Sequence, residues 1–165
     1  MRKGTSGSAT VTVEATPEAV YDLVTDVGRI PEWSPECTHA RWVGGADGAE
    51  VGARFEGRNR RGLVRWRTRP RVVAARRPHE FAFVMGLPVF GDLTRWRYEI
   101  EPGDRPGTSR VTESFAMLRD LPFVLALMER GLMLVADRER DLQANLETSL
   151  RRLRTVVERR DAGTR

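Results

Sequence analysis

Between residues 8 and 37 the chain changes its hydrophobic period twice, and that change limits the folds open to it more than any other feature. Ser8-Ala-Thr-Val-Thr-Val-Glu14 alternates. Ala9, Val11, Val13 and Ala15 fall on one face and Thr10, Thr12 and Glu14 on the other, the pattern of a half-buried strand. Thr16-Pro17 then opens a short helix, Pro17–Asp26, with Val20, Leu23 and Val24 on one side. A threonine hydroxyl accepts an N–H that the first turn leaves unbonded, and proline at the first helical position has no N–H to leave orphaned. Pro31 and Pro35 break Val27–Glu36 into a turn or second short helix around Pro31-Glu-Trp33.

The period then returns to that of strands. Thr38–Val43 ends at the turn Gly44-Gly45-Ala-Asp-Gly48, and Gly52–Arg60, Leu63–Arg76, Glu80–Met85, Leu93–Glu101 and Thr108–Met117 follow, separated by short Gly/Pro turns. Successive strands on short turns predict an antiparallel meander. After Asp120-Leu121-Pro122 the spacing becomes helical: Val135, Leu142, Leu146, Ser149, Leu153 and Val157 share a face, with Gly131 a candidate kink. No linker divides the chain, so residues 8–158 read as one domain, with 1–7 and 159–165 as flexible tails.

Composition excludes several classes. No apolar run reaches the ~18–20 residues of a membrane span, and no apolar signal core precedes the first strand, so a cytoplasmic protein is expected. Cys37 is the sole cysteine, and His39 and His79 lie far apart, which leaves no spacing suited to a metal. Nucleotide-binding glycine loops, the Gly-x-Ser-x-Gly elbow and His-Glu-x-x-His are all absent, so any chemistry is expected to need no cofactor. The net charge is +5, but the basic residues are arginines apart from Lys3, and acidic residues are interspersed among them. That balance does not point to nucleic acid as a partner.

The span 8–158 resembles the START-like superfamily, in particular its polyketide cyclase/dehydrase-like and lipid-transport-like proteins. The resemblance rests on Val20-Tyr-Asp-Leu-Val-Thr-Asp26 with Pro31-Glu-Trp33, on Val51-Gly52-Ala-Arg-Phe55, on Gly107-Thr-Ser-Arg-Val-Thr-Glu-Ser-Phe115 and on the closing helix. It implies an α+β helix-grip fold. A curved seven-stranded antiparallel sheet would wrap a helix over about Pro122–Glu158, with two short helices after the first strand and a cavity between sheet and helix. The aromatase/cyclase branch carries an inward arginine on the long strand and a tyrosine after the first helices. Here Pro70 and Cys37 stand near those places, whereas Gln143-Ala-Asn-Leu146 matches. The opening segment is also similar to a quinone-binding branch whose cavity carries an isoprenoid quinone without reaction.

Strand alternation then names the wall. The long strand turns Val64, Trp66, Thr68, Pro70 and Val72 inward, and Arg65, Arg67, Arg69 and Arg71 outward. This arginine comb reads as a solvated convex face with cross-strand ion pairs, or else as a patch for an anionic partner. Trp33, Phe55, Trp66, Phe81, Phe83, Phe90, Trp96, Tyr98, Phe115 and Met117 are the candidate ligand-binding residues, with plain core packing as the alternative. Glu113 shares the parity of Val111, Phe115 and Met117, which carries a carboxylate into an apolar interior. Desolvation raises the pKa of such a group and suits it to proton transfer. Asn145 on the helix and Thr68 on the long strand are the further candidate catalytic groups; Cys37 reads as core. The apolar loop Met85–Asp92 is expected at the cavity mouth.

These features predict a monomer or homodimer that takes up a small hydrophobic molecule, polycyclic or polyketide-derived, with cofactor-free cyclisation or dehydration centred on Glu113. The alternative is a non-catalytic carrier or sensor of a lipid or isoprenoid quinone.

Overall fold

The computed structural model describes residues 1–87, 89–122 and 138–162. Its elements in chain order are β1 (Ser6–Val13), α1 (Pro17–Thr25), a 3-10 helix (Val27–Glu32), β2 (Cys37–Val43), β3 (Arg54–Arg61), β4 (Val64–Thr68), β5 (Arg71–Arg76), β6 (Glu80–Leu87), β7 (Gly91–Pro102), β8 (Ser109–Met117) and α2 (Arg138–Ala162). All strand pairs are antiparallel, in the order β1-β8-β7-β6-β5-β3-β2, with β4 attached to β3 off that path.

The capping chemistry works as its residues require. Thr16 Oγ1 accepts the Ala19 N–H at 3.3 Å, and Pro17 opens α1. Val20, Leu23 and Val24 then point into a core built with Val13, Val72, Ile100 and Val111. From the other side α2 brings Leu150, Leu153 and Val157 to the same core, while Leu142 and Leu146 pack on Phe115. The sheet therefore curls around one helix, as expected. The helix is described from Arg138 onward; Gly131 and Val135 lie outside the described residues. Ahead of β1 the chain is hydrogen-bonded too, with Gly4 N–H to Met117 O at 3.0 Å and Leu121 N–H to Met1 O at 3.0 Å.

One strand differs from expectation in detail. Leu63–Arg76 is broken at Arg69-Pro70 into β4, which pairs with β3, and β5, which pairs chiefly with β6. Proline has no N–H for a ladder, so continuous pairing stops there. Pro70 still accepts the Phe55 N–H at 3.2 Å through its carbonyl. Counted as one interrupted strand, the two pieces restore the seven-stranded sheet.

The β6–β7 hairpin contains a close backbone approach. The register shifts between Met85 and Gly86, and a Cβ on Gly86 would lie 1.9 Å from the Gly91 carbonyl oxygen. That neighbour is main chain and cannot rotate away. Gly86→Ala is therefore expected to cost about 2–3 kcal/mol of stability, read as a lower urea midpoint with unchanged m-value. An alanine variant as stable as wild type would show that the approach is looser than described.

Candidate functional site

A cavity of about 170 Å³ lies between the concave face of the sheet and α2. Its aromatic walls are Phe55 from β3, Trp66 from β4, Phe83 from β6 and Trp96 and Tyr98 from β7, with Leu142 and Leu146 closing the helix side. Phe55 and Phe83 meet edge to face at 5.2 Å, and Trp96 leans on Phe115 at 5.8 Å, so the rings hold one another in place. Met85 and Cys37 complete the apolar surface.

Two polar clusters interrupt this lining. The inner one centres on Glu113, which strand alternation carries inward on β8 and which is 4% exposed. Tyr98 faces it directly across the β7–β8 ladder, and the Tyr98 hydroxyl donates to Glu113 Oε1 at 2.8 Å. Trp33 Nε1–H donates in turn to the Tyr98 oxygen at 3.4 Å. Glu113 Oε2 has no hydrogen-bond partner among the described residues, and neither has Trp96 Nε1–H on the same wall. Burial drives the Glu113 carboxyl up to about 7, against the pull of the Tyr98 and Ser149 hydroxyls, which favour the anion. Tyr98 is pushed well above the usual phenol range, by burial and then by the carboxylate beside it. At neutral pH the proton of this pair therefore resides on, or leaves from, Glu113.

The second cluster is built from charge. Arg61 at the end of β3 reaches Glu36 at 3.2 Å and Asp141 Oδ2 at 2.5 Å. Asn145 Nδ2 donates to Glu36 Oε1 at 3.3 Å. One arginine thus ties the loop before β2 and the start of α2 to β3. Nearby, Asn59 Nδ2 donates to Thr68 Oγ1 at 3.3 Å. Asn145 and Thr68 both line the cavity, as expected, yet each is engaged by a protein partner.

Of the expected ligand-binding residues, Phe55, Trp66, Phe83, Trp96 and Tyr98 are brought together on the wall. Trp33 and Phe81 lie behind it as fully buried core. Phe115 and Met117 are buried as well, the first against Leu142 and Leu146, the second accepting the Thr94 hydroxyl at 3.4 Å. Phe90 stands at the exposed β6–β7 turn, where its carbonyl accepts from Arg119 at 3.2 Å. Of the loop Met85–Asp92 only Met85 reaches the wall, and Pro88 lies outside the described residues. Cys37 lines the wall and packs against the core behind it; burial raises its thiol, which donates to the His39 carbonyl at 3.4 Å, so it is no thiolate nucleophile.

Glu36, Asn59 and Ser149 also line the cavity and were not among the candidate site residues. Asn59 had a signal, since it shares parity with Phe55. Ser149 had one too, as a hydroxyl in the apolar stripe of α2. Glu36 had none, because a loop residue carries no period. Among the described residues no group of three or more metal-ligating side chains occurs, and no helix is long and apolar enough to cross a membrane.

The profile of the family described as polyketide cyclase/dehydrase and lipid transport matches residues 5–158. No curated protein matches the chain in sequence. A polyketide-cyclase-like protein of Corynebacterium glutamicum is 24% identical and superposes at a TM-score of 0.57, over 96% of this chain and 92% of its own. A START superfamily protein of Mycobacterium smegmatis reaches a TM-score of 0.70 at 18% identity, over 94% of this chain and 99% of its own. The di-domain ARO/CYC protein StfQ from the steffimycin biosynthetic pathway also reaches 0.70, at 13% identity, over 95% of this chain and 51% of that one. At these identities the likeness is one of fold: a curled antiparallel sheet closed by a C-terminal helix.

Proposed function

This chain belongs to the polyketide cyclase/dehydrase and lipid transport family, and on that premise we propose that it binds a small hydrophobic ketone or phenol and moves a proton on it through Glu113. The observation that carries this reading is the Glu113 carboxyl: buried in an aromatic cavity, anchored through Oε1 by Tyr98, without a partner at Oε2 among the described residues, and balanced between its acid and anion near pH 7. A proton-transfer group works best when its pKa lies close to the working pH. Ionised, Oε2 takes a proton from a carbon next to a carbonyl; the negative charge that builds on the carbonyl oxygen needs a donor, and Trp96 Nε1–H is buried and unpaired. The protonated acid then returns the proton to carbon or to a leaving hydroxyl. No group outside the protein is required for that cycle.

An apolar void of about 150 Å³ accepts a benzene ring, so a two-ring ketone is a suitable probe for the cavity of about 170 Å³. Deuterium exchange tests the reading. In D₂O with 2-tetralone, a two-ring ketone with acidic α-protons, the protein is expected to accelerate loss of the α-proton NMR signal. A non-catalytic carrier would bind the same ketone, seen by quenching of the Trp66 and Trp96 emission, and leave the exchange rate at that of buffer. That result would put the carrier reading ahead.

A further inference from the structure

The outer face of the β3–β4 hairpin places arginine opposite arginine. Arg58 pairs with Arg67 and Arg60 with Arg65 across the ladder, and Arg54 stands opposite Arg71 at the β3–β5 bridge. Elsewhere on this face the expected ion pairs form. Glu56 lies 3.5 Å from Arg69, Glu80 lies 2.5 Å from Arg97, and Arg71 reaches Asp92 at 2.7 Å. Arg54, Arg58, Arg60, Arg65 and Arg67 are exposed, and no salt bridge to any of them occurs among the described residues. Like charges directly opposite on a sheet destabilise it, and a guanidinium does not relieve the repulsion by losing its proton. Such a ladder is stabilised by an anion laid against it.

The tip of the same hairpin is apolar. Gly62, at a φ of 57°, makes the two-residue turn possible, and Leu63 beside it is 96% exposed. The hairpin's inner face supplies Gly57, Asn59, Trp66 and Thr68 to the cavity. We propose that this hairpin docks the protein on an anionic lipid bilayer: the four arginines Arg58, Arg60, Arg65 and Arg67 lie along the headgroups and Leu63 enters the interface. Apolar burial combined with cationic attraction is what seats peripheral elements at such surfaces. A polynucleotide fits the charges less well as a whole. No exposed aromatic lies on the hairpin for a base to stack on, and a leucine tip gains nothing from phosphate. A second copy of the chain would bring two cationic faces together. The docking does not depend on Glu113 acting as an acid or base, but it sets one wall of the cavity against a source of hydrophobic molecules.

Co-sedimentation of the full chain with vesicles tests this. Binding is expected to phosphatidylcholine vesicles containing about one third phosphatidylserine at low salt, to be lost at high salt, and to be absent from pure phosphatidylcholine. Near such a surface each basic residue is worth roughly five-fold in affinity. The variant R58Q/R60Q/R65Q/R67Q should therefore bind roughly a hundred-fold or more weakly, whereas the corresponding lysine variant retains binding. The melting temperature of the glutamine variant should stay level or rise, because the repulsion is gone. Should the glutamine variant not fold, Leu63→Asp, at a fully exposed turn, gives the second reading, with a loss of about ten-fold. Binding that ignores lipid charge, or that survives both variants, would overturn the proposal. So would a double-stranded DNA oligomer held more tightly than the acidic vesicles, which would make the ladder a nucleic-acid face, or no binding to either.

Discussion

Glu113→Gln is expected to lower the α-proton exchange of 2-tetralone by about 10²–10⁴-fold, the usual contribution of a positioned acid or base, while the dissociation constant of the ketone changes by less than about three-fold. Glutamine keeps the shape and can still accept the Tyr98 hydrogen bond, but its amide acts as neither acid nor base near neutral pH. The same substitution has a stability signature that needs no substrate. The folded carboxyl titrates at about 7 and the ordinary carboxyl at 4.5. Below the lower value the group is protonated in both states. Between the two, the folded protein holds a proton that the unfolded chain has released, so its contribution to stability falls as pH rises and is lost above about pH 7. The size of that fall is roughly 3 kcal/mol for a shift of this order. Urea unfolding at pH 5 and pH 8 should therefore show Glu113→Gln gaining on wild type as pH rises, since its side chain stays neutral throughout. Parallel pH profiles for the two proteins would mean that Glu113 is not held as an acid by its surroundings.

Trp33→Ala should be the most damaging core substitution, at about 3–5 kcal/mol. Trp33 is fully buried at the end of the 3-10 helix, and its N–H holds the Tyr98 oxygen that in turn holds Glu113. Removing the indole opens a void and releases the tyrosine together. A fall in the denaturation midpoint is expected, with the Glu113 titration shifting as its partner loosens. Trp33→Phe fills most of the volume and separates the two effects: stability should be largely restored, and the shifted titration should persist. A wild-type titration in both variants would show that Tyr98 is positioned without Trp33.

Much of this arrangement was legible before any coordinates. The strand-to-helix boundary at Thr16-Pro17 and the inward turn of Glu113 follow from capping chemistry and from strand parity, both local rules. Parity, however, fixes the face of a strand and says nothing of height along it. Phe81 and Phe83 share a face, yet Phe83 meets the cavity and Phe81 is sealed in the core beside it. Phe115 and Glu113 differ in the same way. The Tyr98–Glu113 bond required the β7–β8 register, which is set by the turn between them and by packing across the sheet. Glu36 became part of the site only through Arg61 and Asn145, residues remote in sequence. The arginine comb was read correctly as outward. Its ion pairing holds for Arg69 and Arg71, which meet Glu56 and Asp92, but not for Arg65 and Arg67, because the partner depends on register and in the hairpin it is another arginine.

The interruption at Pro70 has a consequence for how the molecule breathes. Because β4 is laddered to β3 alone, its amides have one strand's protection, whereas β6, β7 and β8 each lie between two neighbours. Native-state hydrogen exchange should resolve the β4 segment as an early-opening unit that exchanges without global unfolding, with β7 and β8 exchanging last. An opening of that unit would take Trp66 and Thr68, both on the cavity wall, away from β3 while the remaining ladders stay closed.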